Sequence, residues 1–192
     1  AEHYGKLFDR VLTAANVITL ARAQNALFVT SMCLLASGDE VIVLDPLYQT
    51  CEASLEACGA TPVRVAFSAD GAALAEAITP RTRAIFLSGP KLNPQALKVI
   101  AALAIAHDLW VVIDEVHEGL TLEHPHLSLT AAPGMAERCV VIGSLAKSHP
   151  MASWRLGWIV ADPTLVAHVG SLVLAKTSQR IRDFVQALKA QA

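Results

Sequence analysis

Three residues near the carboxyl end of the chain have types and spacing suited to covalent chemistry. In "GSLAKSHPMASWRLGW", Ser144 precedes Lys147 by three positions, and Arg155 follows it by eight. A lysine amine adds to a carbonyl carbon when it is held in a pocket rather than left in solvent. A hydroxyl and a guanidinium beside it suit an anionic group such as a phosphate. Further upstream, "LWVVIDEVH" ends an apolar run on Asp114, with His117 three residues on. "VIVLDPLY" ends another on Asp45, with Tyr48 close behind. A carboxylate at the end of an apolar run is costly unless it meets a cation or a donor.

These residues need a scaffold that brings strand ends together. "EVIVLD", "TPVRVAF", "TRAIFLSGP", "LWVVIDE" and "RCVVIGSL" read as strands, and "RLGWIVA" as a further one. They are continuous apolar runs rather than alternating patterns, so both faces of the sheet are covered. Helical segments lie between them. "AQNALFVTSMCLLA" is apolar nearly all round, with Gly38 beyond its end. "YQTCEASLEACG", "DGAALAEAIT" and "DPTLVAHVGSLVLAKT" are helical, and so is "LNPQALKVIAALAIAHD", with Asn93 as its N-cap and Pro94 at its first position. Residues 2–13 read as a helix with Tyr4, Leu7, Phe8, Val11 and Leu12 on one face, and "NVITL" is a short apolar run. The alternation specifies an α/β fold: a mostly parallel sheet with helices on both faces, three layers deep. Ligands of such sheets bind beyond the carboxyl ends of the strands, where the polar residues above collect.

Composition removes several alternatives. Of the 192 residues, 54% are hydrophobic and 17% charged, so disorder is excluded and one sizeable core is expected. A net charge of −2 leaves no basic stripe for nucleic acid, and no apolar run is long enough to span a membrane. Cys33, Cys51, Cys58 and Cys139 form no CxxC pair, and the histidines have no metal-ligand spacing. We expect no metal and reduced, buried thiols in a cytoplasmic protein.

A lysine, a buried carboxylate, an aromatic ring, a hydroxyl and an arginine at one sheet edge match the needs of pyridoxal 5'-phosphate. The lysine makes a Schiff base, the carboxylate keeps the ring nitrogen protonated, the aromatic stacks, and hydroxyl, arginine and a helix N-terminus hold the phosphate. At this point the chain resembles the large domain of class I/II aminotransferases, the fold type I pyridoxal-phosphate enzymes. "SGDEVIVLDPLY", "AIAHDLWVVIDEVHEGL" and "PGMAERCVVIGSLAKSHPMASWRLGWIVADP" are similar to family segments in the family's order.

The resemblance implies roles residue by residue. Lys147 would carry the cofactor and move the substrate's proton. Asp114 would pair with the ring nitrogen, Tyr48 would stack on the ring, and His117 would stand where the family usually has a tyrosine. Ser144 and Arg155 would bind the phosphate with the backbone of Ala23 and Gln24. Read without the resemblance, Lys147 has a second reading as a solvated surface charge, Asp114 as a helix cap, Tyr48 as packing, Arg155 as a structural ion pair, and His117 as a surface or packing residue.

The resemblance further implies amino-group transfer between an amino acid and a 2-oxo acid, by a homodimer whose site lies at the interface. A cofactor-binding module without activity, or a carbon–sulfur lyase or decarboxylase on the same fold, stays open beside it. The implied division is a large domain over residues 1–178 and a C-terminal helix over 179–192, similar to the end of the family's small domain. The family's amino-terminal arm and most of that small domain have no counterpart in these residues.

Two further departures stand out. The family's Asn-Pro-Thr-Gly loop has no clear counterpart, because Asn93-Pro94 matches the helix start that follows it. The family's phosphate loop usually has glycine where this chain has Arg22, which would either crowd the loop or add a cation.

Overall fold

The computed structural model describes residues 1–45, 49–66, 71–88, 93–118, 127–149 and 151–175. Tyr48, assigned above to the cofactor ring, and residues 179–192, assigned to a terminal helix, lie outside the described residues.

The chain begins with a short helix α1 (Glu2–Leu7), strand β1 (Val17–Ala21) and helix α2 (Arg22–Leu34). Then come β2 (Glu40–Asp45), α3 (Gln49–Glu56), β3 (Thr61–Ala66), α4 (Ala72–Glu76), β4 (Thr82–Ser88), α5 (Pro94–Ala106) and β5 (Trp110–Asp114). It continues through β6 (Cys139–Ser144), the single turn α6 (Leu145–Ser148), β7 (Leu156–Val160) and a helix α7 over residues 163–175.

The seven strands form one sheet in the order β1-β7-β6-β5-β4-β2-β3. Neighbours from β6 to β3 are parallel, whereas β7 is antiparallel to both β6 and β1. Only β7 therefore runs backwards. The carboxyl ends of the other six strands share one edge with the start of β7. This topology places Arg155, just before β7, beside residues that follow β1, β5 and β6.

Burial explains why the central strands are unbroken apolar runs. Along β2, Val41 and Val43 pack into one core cluster with Leu27 and Val29 of α2, Leu55 of α3 and Val169 of α7. Ile42 and Leu44, pointing the other way, pack with Leu74 of α4 and Leu97, Ile100 and Ala104 of α5. Helices thus cover both faces, giving the three layers expected from the sequence. α5 starts where its residues say it should. The Asn93 side chain accepts the Ala96 amide at 2.8 Å, and Pro94 is the first helical residue.

The amino-terminal segment differs from expectation. The helix expected over residues 2–13 stops at Leu7, and Asp9 takes a left-handed conformation (φ 49°) that turns the chain. Tyr4 and Phe8 are buried against Val141 and Val160, while Val11 is 93% exposed. The apolar run "NVITL" supplies β1, an edge strand.

Candidate active site

A cavity of about 230 Å³ opens at the carboxyl edge of the sheet. Its lining includes Lys147, Asp114, His117, Ser144, Arg155, Ala23 and Gln24, which are all the described site residues expected from the sequence, together with Arg22 and Cys51. Four separate stretches of chain meet there, brought together by the sheet order.

Asp114 ends β5 and is half-buried. Its Oδ1 accepts the Val116 amide at 3.0 Å. Burial pushes its carboxyl above the usual carboxylate range. The Val116 hydrogen bond and His117 oppose that shift, and Glu115 adds to it. Asp114 does cap the turn after β5, as its alternative reading had it, and it also faces the cavity. A desolvated carboxylate facing a cavity is suited to a cationic ligand group.

Ser144 ends β6 and is 6% exposed. Its Oγ accepts the Ala146 amide at 3.1 Å, capping α6, and donates to the Leu156 carbonyl at 3.0 Å. Its one hydroxyl hydrogen is therefore committed to β7, and Ser144 can donate to a phosphate only by exchanging that acceptor. In this arrangement it fixes the turn that carries Lys147. Lys147 lies on that turn and lines the cavity from its exposed side.

The far wall is the first turn of α2. Its N-cap, Ala21, has no side chain able to cap it, and its first turn has no acidic residue, so the helix turns its positive end to the cavity. Gln24 donates through its side chain to Ser54 Oγ at 2.9 Å, tying α2 to α3. The α2 turn lies directly on β7 because Gly157 has no side chain. A Cβ there would come within 2.4 Å of the Arg22 carbonyl carbon and 2.5 Å of the Ala23 nitrogen. Arg22 donates its amide to the Arg155 carbonyl at 2.8 Å. Both arginines are in the left-handed region, with φ 70° and 55°.

Three cations, Arg22, Lys147 and Arg155, thus line a cavity that has one carboxylate, Asp114. Among the described residues, none of the three is held in an ion pair. The surplus positive charge suits a dianion such as a phosphate monoester. Among the described residues, no group of three His, Cys, Asp or Glu side chains is placed to hold a metal. None of their helices is long and apolar enough to cross a membrane.

Cys51 was read from the sequence only as a buried thiol. Its side chain is 3% exposed and stands in the cavity wall, with its thiol pushed up to about 12 by burial and by the nearby Asp114 and Glu52. Its position three residues after Tyr48 is the only hint the sequence carries. None of the four cysteines is in a disulfide.

A family model described as aminotransferase class I and II matches residues 2–191. The arginine–pyruvate transaminase AruH of Pseudomonas aeruginosa is 42% identical over 187 residues, which cover 91% of this chain and 47% of that protein. The solved N-succinyldiaminopimelate aminotransferase from Mycobacterium tuberculosis superposes with a TM-score of 0.80 at 33% identity, over 88% of this chain and 48% of that one. A Thermus thermophilus aspartate aminotransferase double mutant gives a TM-score of 0.85 at 26% identity, over 92% of this chain and 49% of that one. The chain spans about half the length of the curated relatives it matches.

Proposed function

The chain belongs to the class I and II aminotransferase family, and from that premise we propose that it binds pyridoxal 5'-phosphate at Lys147 and transfers an amino group between an amino acid and a 2-oxo acid. The observation that carries this reading is the meeting of Lys147, Asp114 and Arg155 in one cavity with a surplus of positive charge. The residues fit the cofactor. Asp114 is the desolvated acid a ring nitrogen needs, and Arg155 with the α2 N-terminus supplies positive charge for the phosphate. Ser144 supports the Lys147 turn from below.

When bound, the cofactor supplies an electrophilic carbon for the lysine and an electron sink for the substrate's α-carbon. The chain's own residues do the rest. Lys147 takes a proton from one carbon and returns it to another, which a flexible amine on a short, anchored turn can do. Asp114 would hold the cofactor's ring nitrogen protonated by staying ionised beside it, which would offset the cost of its burial. Arg155 fixes the ligand's anionic end, so that Lys147 meets the same carbon in every turnover. His117 borders the same floor and helps to hold Asp114 ionised.

The rest of the reading is also our proposal. Tyr48 would stack on the ring, and a homodimer would close the open side of the cavity. A cytoplasmic setting is part of the same proposal. Half-reaction spectra with a panel of amino acids test the activity. Conversion of the bound cofactor to its amine form indicates a transaminase. Release of keto acid without that conversion indicates a lyase, and no spectral response indicates a binding module.

A further inference from the structure

Arg22 stands out because its backbone and its side chain have opposed preferences. Its φ of 70° is a conformation that strains any residue bearing a Cβ and that glycine adopts freely. The strain here accompanies a guanidinium that glycine would not supply. The backbone around it is tightly determined. The Arg22 amide bonds to the Arg155 carbonyl, Gly157 makes room for its carbonyl group, and Ala21 pairs with Leu156 in the sheet. Arg22 is thereby held one hydrogen bond from Arg155, and both residues line the same cavity. Two arginines and a lysine line this cavity, and among the described residues none of them is in an ion pair.

We infer that Arg22 is a second guanidinium for the phosphate of the ligand, acting with Arg155. This rests on the cofactor reading proposed above and deepens it. A phosphate dianion between two guanidinium groups gains charge-assisted hydrogen bonds that a glycine at position 22 cannot give. The grip on phosphate then depends less on Ser144, whose hydrogen is committed to Leu156.

The test compares the full chain with Arg22→Gly and Arg22→Lys. Each is titrated with pyridoxal 5'-phosphate and with pyridoxal, which lacks the phosphate, and each is melted with and without inorganic phosphate. We expect Arg22→Gly to bind pyridoxal 5'-phosphate at least about tenfold more weakly, the loss of one charge-assisted contact. Its affinity for pyridoxal should be unchanged, and phosphate should raise its melting temperature less than that of the parent. Arg22→Lys should fall between the two. The inference is overturned if Arg22→Gly binds the phosphorylated cofactor as tightly as the parent or more so, or if it loses both ligands equally. If the parent chain binds neither aldehyde, the cofactor reading fails. The phosphate-dependent melting shift, diminished or not in Arg22→Gly, still decides the role of Arg22.

Discussion

The amide of Arg22 donates to the carbonyl of Arg155 at 2.8 Å, and both residues hold left-handed backbone conformations at the edge of one cavity. The two arginines lie far apart in sequence. They meet because β7 is the one strand that runs against its neighbours, and because Gly157 lets the first turn of α2 rest on it. The site is thus built across a junction of β1, β7 and α2, and disturbing that junction should disturb ligand binding.

Gly157→Ala is the most direct disturbance. Its Cβ would lie 2.4–2.8 Å from backbone atoms of Arg22 and Ala23, which no side-chain rotation relieves. We expect a loss of about 1–3 kcal/mol in denaturant unfolding, the usual cost of overpacking, with weaker binding of pyridoxal 5'-phosphate. Unfolding curves that coincide with those of the parent would show that the contact is not tight in solution.

Asp114→Asn should stabilise the unliganded chain at neutral pH. Burial raises the Asp114 carboxyl, so the folded chain holds this proton more readily than the unfolded one. Stability therefore falls as pH rises from the unfolded carboxylate value, near about 4, through the raised folded value. Asparagine avoids this loss and can still accept the Val116 amide. The variant should melt above the parent near neutrality, and the gap should close in acid. A gap independent of pH would refute this, and the same variant should bind the cofactor more weakly.

Ser144→Ala removes a donor to the Leu156 carbonyl and the cap on the Lys147 turn. A cost of about 1–2 kcal/mol is expected in equilibrium unfolding. If Ser144 mainly supports that turn, cofactor affinity should fall for pyridoxal as well as for pyridoxal 5'-phosphate. A loss confined to the phosphorylated form would mean that its hydroxyl serves the phosphate instead.

Asn93→Ala separates a cap from a ligand contact. Its side chain accepts the Ala96 amide in the structure, so the variant should lose about 1 kcal/mol of stability and bind the cofactor as the parent does. A large fall in affinity at unchanged stability would return Asn93 to the site.

The central sheet was legible because burial on both faces writes itself as unbroken apolar runs, and β2, β4, β5 and β6 all carry that mark. Asp114, Ser144 and Lys147 were legible for the complementary reason, as polar residues where such runs stop. Periodicity misled at the amino terminus. It extended the first helix to residue 13, although the left-handed Asp9 turns the chain and leaves Val11 in solvent. The direction of β7 is absent from any residue pattern, and with it the pairing of Arg22 and Arg155. Cys51 reaches the cavity only through the packing of α3 against α2, which the sequence does not encode locally.

The central claim is that Lys147 is the amine that holds the cofactor. Incubation with pyridoxal 5'-phosphate, reduction with borohydride and peptide mass analysis test it directly. We predict one pyridoxyl-phosphate group per chain, on the peptide containing Lys147, and none on that peptide in Lys147→Ala. Modification of other lysines with Lys147 left unlabelled, or no modification at saturating cofactor, would contradict the account.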